Sequence, residues 1–190
     1  SYVANNYHYF TDVRANTTVV TSSGANSGIP YQFYNYTLTP ENVYVYNRYT
    51  QLYKIISRAN TLFAHLDDVS YASPAARDTY EAEARFLRAL AYYWLVTEWG
   101  DVPLVLKELE STEEVRANNY RRPKAEIYQA IFDDLKYVTE SPLSDVQPAS
   151  ACGKVSKAAA WALWGKALLQ QVCDEGFAGS KPALLREAIE

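Results

Sequence analysis

The segment from Tyr80 to Gly100 carries apolar residues on two opposite sides of a predicted helix. At about 100° per residue, one side carries Tyr80, Ala84, Leu87, Ala91, Trp94 and Leu95. The other side carries Ala82, Phe86, Ala89, Tyr93 and Val96. The narrow strip between them, which we expect to face water, carries Glu81, Arg85, Arg88 and Tyr92. Two apolar sides predict that this helix contacts neighbours on both, as helices do in stacked repeat proteins.

Capping residues mark the two ends of this helix. Ser73 followed by Pro74 predicts the start, because serine caps a helix and proline suits its first position. Gly100 predicts the end, because glycine adopts the left-handed conformation without steric cost. Pro103 then prevents the helix from resuming.

A preceding helix is predicted to start at Thr39, a good N-cap that is followed by Pro40 and Glu41. Its apolar positions recur at spacings of four and three, at Val45, Tyr49, Leu52, Ile56, Ala59, Phe63 and Leu66. Upstream, residues 1–13 are predicted to be the end of a helix. Residues 14–38, which contain glycine and proline breakers, are predicted to be a loop.

Two more helices follow the central one. The first begins after Arg122–Pro123, stops at Ser141–Pro142 and has an apolar side made of Ile127, Ile131, Leu135 and Val138. Ser156 caps the second, which runs from Lys157 to Cys173. Together these patterns predict an all-α fold, and we interpret residues 1–190 as a single helical domain.

The last helix also matches part of a known repeat. Its residues at the offsets of the first helix of a tetratricopeptide repeat are Trp161, Trp164, Gly165 and Leu168. The match is partial, because no repeat of about 34 residues can be laid over the whole chain. Gly165 costs about 1 kcal/mol relative to alanine inside a helix, so we expect a close helix neighbour there.

Composition narrows the classes of function. The 190 residues are 48% hydrophobic and carry a formal charge of -4, without the clustered basic surface that nucleic-acid binding needs. We therefore expect no nucleic-acid partner. No apolar run approaches the roughly 20 residues of a membrane span, and no signal sequence is recognisable. The chain starts at Ser1 and its last residues follow a helical pattern, which we interpret as a fragment of a longer protein.

The residues that could carry catalysis or hold a cofactor are scattered. His8 and His65 belong to no nucleophile or metal motif, and the paired acids are sequence neighbours whose side chains diverge. No acidic cluster has the spacing of a calcium loop. Cys152 and Cys173 are interpreted as buried or idle thiols, although a disulfide between them is an open alternative. We expect a protein that is not an enzyme and has no cofactor.

Four motifs occur in an order that is typical of one protein family. They are Ile55–Phe63, the Glu83–Ala89 helix with its Gly100–Val105 ending, Arg122–Leu135, and Gly153–Ala160. Over roughly residues 41–173 the chain resembles the SusD/RagB family of glycan-binding outer-membrane lipoproteins. The resemblance is specific for the family and does not identify a ligand.

The resemblance implies irregular tetratricopeptide-like helix pairs whose long, aromatic-rich loops form a binding surface. It implies a lipoprotein on the surface of the outer membrane that captures oligosaccharide or polysaccharide, or in some cases peptide. It also implies a partner, a SusC-like TonB-dependent outer-membrane transporter, to which the ligand is delivered. Contact with the membrane would be made only through a lipid anchor that this sequence does not contain. The chain would be the N-terminal part of a longer SusD-like protein.

Candidate ligand-binding residues lie in the loop before the second predicted helix. Sugar rings need flat apolar faces and a few amides or carboxylates, and tyrosine offers both a ring and a polar tip. By the resemblance, this segment contributes an aromatic and an amide to ligand contact. The hypothetical glycan-binding residues are Tyr31, Tyr34, Asn35 and Tyr36. The alternative is that these aromatics hold the loop against the helical core.

A different class of function is also compatible with the sequence. A helical-repeat scaffold would bind a peptide or protein partner in its concave groove. The motif order favours the glycan-binding interpretation, whereas the partial repeat match fits both.

Overall fold

Helices account for almost all regular structure in residues 7–18, 20 and 28–174, which the computed structural model describes. Within these ranges the strands are Val102–Pro103 (β1) and Arg121–Arg122 (β2), which form one antiparallel pair. The prediction of an all-α fold is confirmed. The chain divides into two compact units, Ser1–Tyr53 and Lys54–Glu190.

The first unit contains a π-helical turn, Tyr9–Val13, a one-turn helix, Tyr31–Tyr34 (α1), and the start of Val43–Ala64 (α2). The helix predicted for residues 1–13 is present from residue 7, and residues 1–6 lie outside the described part. The segment predicted to be a loop, residues 14–38, contains the helical turn α1 in the structure. Pro30 has the helical φ of -65° and directs the chain into that turn.

Asn42, and not Thr39, caps α2. The Asn42 Oδ1 accepts hydrogen bonds from the backbone N–H groups of Tyr44 at 3.0 Å and Val45 at 3.4 Å. Pro40 lies in a turn in which the Asn42 N–H donates to the Thr39 carbonyl at 3.1 Å. The predicted start was therefore three residues early. Both residues are plausible caps, and the tertiary contacts of the buried Asn42 side chain decide between them.

The predicted apolar stripe of α2 is confirmed at its centre. Leu52, Ile56 and Ala59 are buried, as is Leu66 in the short 3₁₀ helix Leu66–Asp68 that follows. Helix α2 contains residues of both units, since the division falls after Tyr53.

The second unit is built around the helix Pro74–Trp99 (α3), whose predicted ends are confirmed. The Ser73 Oγ accepts a hydrogen bond from the Ala76 N–H at 3.1 Å, and Pro74 is the first helical residue. Gly100 has a φ of 72°, and its N–H donates to the Val96 carbonyl at 3.0 Å. The side-chain oxygen at one end and the left-handed glycine at the other terminate the helix where the sequence predicted.

The strip of α3 that we expected to face water is buried. Glu81, Arg88 and Tyr92 are all buried, whereas Tyr80 and Leu87, assigned to an apolar side, are exposed. The prediction that this strip faces water was therefore wrong. The reason is that each buried polar group has a partner: Arg88 and Tyr92 bind residues of other elements, and Glu81 binds Arg77 and Arg85 of the same helix. The prediction of neighbours on two sides agrees with the burial of Ala91 and Leu95 on one apolar side and of Ala89 and Val96 on the other.

Arg88 is the centre of this buried network. Its Nε and Nη2 atoms each donate to the Asp134 carboxylate at 2.8 Å, and its Nη1 donates to the Asn60 Oδ1 at 2.7 Å. The Asn60 Nδ2 donates in turn to the carbonyls of Val105 and Lys107, both at 3.0 Å. The expectation that Asn60 binds a loop backbone is confirmed. The network joins α2, α3 and the connector that follows β1.

Glu81 and Arg85 extend the network towards solvent. Arg85 donates to Glu81 at 2.7 Å and to Asp134 at 3.0 Å, and Arg77 donates to Glu81 at 3.0 Å. Burial raises the pKa of the Glu81 carboxyl, but the hydrogen bonds from Arg85 and Tyr137 outweigh it, and the net pKa lies below its ordinary value. The carboxylate stays charged because its donors replace the lost water.

The remaining helices are Thr112–Asn118 (α4), Lys124–Glu140 (α5) and Lys157–Cys173 (α6). Helix α5 packs against both α3 and α6. The predicted apolar side of α5 is confirmed, since the fully buried residues include Ile127, Ile131, Leu135 and Val138. On α6, Ser156 is the N-cap as predicted, and Trp164 stacks on Phe132 of α5 with ring centroids 5.7 Å apart.

Cys152 and Cys173 are free and exposed, so they are not buried and form no disulfide with each other. Of the interpretation as buried or idle thiols, only the idle form agrees with the structure. Cys152 follows the 3₁₀ helix Ala149–Ala151, and Cys173 is the last residue of α6. Among the helices described here, none is both long and apolar enough to cross a membrane.

Candidate glycan-binding site

The four candidate residues lie in one short stretch of the first unit, residues 31–36, which we call the aromatic segment. Its backbone is held by local hydrogen bonds: the Asn35 N–H donates to the Tyr31 carbonyl at 2.9 Å, and the Thr37 N–H donates to the Gln32 carbonyl at 3.0 Å. These bonds form the single turn of α1 and close it. The segment is therefore an ordered turn, and not an extended loop.

Phe33 anchors the aromatic segment to the core of the first unit. Its side chain is completely buried, and its ring lies edge-on to Phe10 with centroids 4.9 Å apart. The Tyr9 ring lies 5.8 Å from Phe33 and stacks on Tyr44 at 5.2 Å. A buried phenylalanine with several ring neighbours fixes the turn, because moving it would expose a large apolar surface.

Tyr31 and Tyr34 form a pair near the surface. They are separated by three residues on α1, which places both side chains on one face of the turn. Their ring centroids are 5.6 Å apart, and the planes are inclined by 36°. Tyr31 is 38% exposed, and Tyr34 is half-buried. The structure thus brings two of the predicted rings together.

Asn35 and Gln32, the two amides of the segment, have different environments. Gln32 is half-buried, and its Oε1 accepts a hydrogen bond from the Asn42 Nδ2 at 2.8 Å. Asn42 Nδ2 also donates to the Ile29 carbonyl at 3.1 Å, so Gln32 belongs to the packing at the start of α2. Asn35 is exposed beside the paired rings and is the amide available for a ligand.

Tyr36 has a structural contact as well as an exposed ring. It is 62% exposed, but its hydroxyl donates a hydrogen bond to the Arg14 carbonyl at 2.6 Å. Its φ of 56° is uncommon for a residue other than glycine. This contact agrees with the alternative that an aromatic holds the loop, whereas the Tyr31–Tyr34 pair agrees with a ligand surface.

The geometry of the segment suits the recognition of a sugar ring. Two adjacent aromatic rings offer apolar faces to the C–H side of a pyranose, and the Asn35 amide offers both a donor and an acceptor to its hydroxyls. Because the buried Phe33 side chain fixes the turn, the segment loses little conformational freedom on binding.

Metal and catalytic chemistry have little support in the described ranges. Residues 7–18, 20 and 28–174 contain no group of three or more His, Cys, Asp or Glu side chains that could hold a metal ion. His65 contacts Asp68 at 2.8 Å and Glu108 at 3.3 Å, and the side chains of His65 and Asp68 are exposed. The sequence did not single out Tyr120, an exposed residue of the second unit, because a lone tyrosine in a polar connector carries no spacing signal.

The class of this all-α chain follows from its similarity to a known family. The family model SusD-like_3, described as "Starch-binding associating with outer membrane", matches residues 1–169. The chain therefore belongs to the SusD-like family. SusD-like proteins are carbohydrate-binding, non-catalytic proteins, which agrees with the expectation for this chain.

Individual relatives agree with this assignment. "SusD-like protein P25" of Formosa agariphila is 32% identical over 127 residues, which are 67% of this chain and 24% of that protein. A "SusD-like protein" of Bacteroides ovatus is 25% identical over 114 residues, 58% of this chain and 20% of that protein. The chain thus spans about a fifth to a quarter of the length of the curated relatives that it matches.

Solved structures share the fold. A "Laminarin binding SusD-like protein" superimposes with a TM-score of 0.76 and 26% identity, covering 98% of this chain and 41% of that one. A structure solved "with xylogluco-oligosaccharide" has a TM-score of 0.73 and 23% identity, with 98% of this chain and 36% of that one covered. The second likeness is evidence of the fold alone.

Proposed function

We propose that this chain is the N-terminal part of a surface glycan-binding component of a TonB-dependent polysaccharide uptake system. In this proposal, the complete protein is lipid-anchored at the outer membrane, captures an oligosaccharide and delivers it to a SusC-like transporter. The family match over residues 1–169 supports this role, and the description of that family includes association with the outer membrane. The partial coverage of the relatives supports a longer parent protein.

The observation that carries the proposal is the Tyr31–Tyr34 pair on a turn whose backbone is fixed by the buried Phe33. Exposed aromatic rings on a mobile loop would lose entropy on binding, whereas rings on an anchored turn are preorganised. Asn35 then supplies the polar contact that orients the sugar. We assign Tyr36 a mixed role, because its hydroxyl is already bonded to the Arg14 carbonyl.

The ligand class follows from the same chemistry. A surface of rings and one amide recognises the faces and hydroxyls of pyranose units, and it contains no charged side chain that would select a charged sugar. The solved relative at 26% identity is named as laminarin-binding, which supports a polysaccharide as the ligand. We propose an oligosaccharide or polysaccharide of pyranose units as the ligand.

Alanine replacement of Tyr31 and Tyr34 in the complete protein tests the site. Binding to a panel of polysaccharides that includes laminarin, xyloglucan and starch would be measured by isothermal titration calorimetry. We expect at least tenfold weaker binding of whichever polysaccharide the wild type binds, with an unchanged thermal unfolding midpoint. Tyr80→Ala removes a more exposed tyrosine from α3 and serves as the control outside the aromatic segment. Unchanged affinity in the double variant would remove the aromatic segment from the site.

Tyr36→Phe separates the two roles of Tyr36. The variant keeps the ring but loses the hydrogen bond to the Arg14 carbonyl, so we expect it to lower stability by about 1 kcal/mol and to retain affinity. A loss of affinity as large as that of the double variant would show that the turn geometry, and not ring contact, controls binding.

The partner and the location need a separate test. We expect the complete protein to be degraded by protease added to intact cells and to co-purify with a TonB-dependent transporter from detergent-solubilised outer membranes. Recovery in the cytoplasmic fraction, or binding of peptides with no binding of polysaccharide, would instead favour the helical-repeat scaffold as the function.

A further inference from the structure

The second unit contains an open cleft of about 350 Å³ that the aromatic segment does not use. It lies between the connector after β1, the end of α4 and strand β2. Its lining residues are Leu104, Leu106, Lys107, Asn118, Tyr120 and Arg122. The lining therefore combines apolar side chains, one aromatic ring, one amide and two cations.

The backbone of the cleft is anchored to the core. Val105 is fixed by Tyr92, whose hydroxyl accepts from the Val105 N–H at 2.7 Å and donates to its carbonyl at 2.9 Å. Asn60 donates to the carbonyls of Val105 and Lys107 from the buried network. On the opposite side, β2 pairs with β1 through Val102 and Arg122. Both walls are held by buried or main-chain contacts, so the cleft is preformed.

Tyr120 forms an exposed aromatic platform at this cleft. The residue is 52% exposed, and the Arg122 guanidinium carbon lies 5.3 Å from its ring centroid. Arg122 Nη1 also donates to the Tyr120 hydroxyl at 2.7 Å, and Arg122 is bonded to Glu126 at 2.6 Å. A tyrosine held by an arginine that is itself held by a carboxylate has few accessible rotamers, which favours stacking of a ligand.

The cations of the cleft each have a carboxylate partner. Lys107 Nζ lies 2.7 Å from Glu114 Oε1, and Arg122 is paired with Glu126. Between residues 104 and 126 the sequence has five basic and five acidic side chains, so the local net charge is zero. An acidic ligand would have to displace one of these carboxylates or lie beside it, and both arrangements are unfavourable. A neutral ligand can accept and donate hydrogen bonds to the ion pairs without breaking them.

We propose that this cleft is a further binding site for a neutral glycan, in which one pyranose ring stacks on Tyr120. Asn118 lies beside it, and its Nδ2 is bonded to the Glu114 carbonyl at 2.8 Å, so its Oδ1 can accept from a sugar hydroxyl. The Lys107–Glu114 and Arg122–Glu126 pairs supply the remaining polar contacts. This inference rests on the proposed function, since it assigns a second glycan contact to a glycan-binding protein.

The test compares three tyrosine variants of the complete protein. Tyr120→Ala removes the platform, Tyr120→Phe keeps the ring without its hydroxyl, and Tyr80→Ala removes a tyrosine of similar exposure outside the cleft. Affinity electrophoresis would be run with neutral laminarin, xyloglucan and starch and with acidic polygalacturonate and alginate. Thermal unfolding midpoints establish that each variant is folded.

The expected result is binding of a neutral polysaccharide that weakens about five- to tenfold in Tyr120→Ala, with Tyr120→Phe and Tyr80→Ala close to the wild type. If Tyr120→Ala binds the neutral polysaccharide as tightly as the wild type does, this site is overturned while the proposed function stands. Equal losses in Tyr120→Ala and Tyr120→Phe overturn the stacking role, because the hydroxyl contact with Arg122 would then be the cause. Binding of the wild type to the acidic polysaccharides alone would overturn the argument that the paired charges of the cleft favour a neutral ligand. A wild type that binds none of the five overturns the proposed function and this site with it.

Discussion

Neutralising Asp134 tests whether the buried charge network holds the second unit together. Asp134 is 2% exposed and accepts hydrogen bonds from Arg88 at 2.8 Å twice and from Arg85 at 3.0 Å. Arg88 is 6% exposed, so its charge has no access to water that could replace the lost partner. The replacement Asp134→Asn keeps the shape of the side chain, which confines the effect to charge and hydrogen bonding.

The magnitude follows from the number of contacts that are lost. Hydrogen bonds to charged groups contribute about 1.5–3 kcal/mol each, and two of them join Arg88 to Asp134. Removing one partner of a buried pair destabilises by about 3–5 kcal/mol, because the other charge stays buried. We therefore expect Asp134→Asn to lower the free energy of unfolding by about 3 kcal/mol or more. Arg85 contributes less to this loss, because it is partly exposed and can still bind Glu81.

Urea unfolding followed by circular dichroism measures the effect, with Asp133→Asn as the matched control. Asp133 is the preceding residue of α5, is exposed and accepts only from Gln129 at 2.8 Å, so its replacement should change stability by less than about 0.5 kcal/mol. Combining Asp134→Asn with Arg88→Met should cost less than the sum of the single changes by about 2 kcal/mol. Additive effects, or similar small losses at both aspartates, would refute the reasoning.

Two further predictions concern the surface and the first unit. The hydrogen bond that the His65 imidazole donates to Asp68, together with the charge of Glu108, raises the pKa of His65 above its ordinary value of 6.5. The contribution of protonated His65 to the stability of the fold is therefore complete below pH 6.5 and is lost as the pH rises through its folded-state pKa. NMR titration of the imidazole checks this. A titration midpoint at or below 6.5 would contradict it. Replacing Asn42 by alanine removes the cap of α2 and the partner of Gln32, so we expect a loss of about 2 kcal/mol in urea unfolding. A loss below about 0.5 kcal/mol would show that another residue caps the helix.

Helix ends were predictable wherever one local rule acted alone. Ser73 and Gly100 terminate α3 by a side-chain acceptor and a left-handed backbone, and both features act within a few residues. The start of α2 was missed because two neighbouring residues satisfy the same rule. Asn42 prevails over Thr39 through its contacts with Ile29 and Gln32, which come from another part of the chain.

The candidate site was predicted in part. The sequence located the aromatic segment, since a cluster of tyrosines before a helix is visible in the order of residues. It could not assign Phe33 to the core or bond Tyr36 to Arg14, because both depend on where distant residues lie. No pattern in the sequence around Tyr120 indicated a binding role for it. Its platform exists because Arg122 is paired with Glu126 and β2 is paired with β1.

The order of residues by itself determined the helical class, most helix boundaries and the family, because spacing and capping are local properties that survive in any arrangement. Only the tertiary structure decided which side of α3 is buried. Hydrophobicity alone favours exposure of Glu81 and Arg88. Asn60 of α2 and Asp134 of α5 reverse that preference for Arg88, because they replace water at its guanidinium. Arg77 and Arg85 of the same helix do so for the Glu81 carboxylate. The burial of a charge depends on what surrounds it, and the surroundings are assembled from residues far apart in the chain.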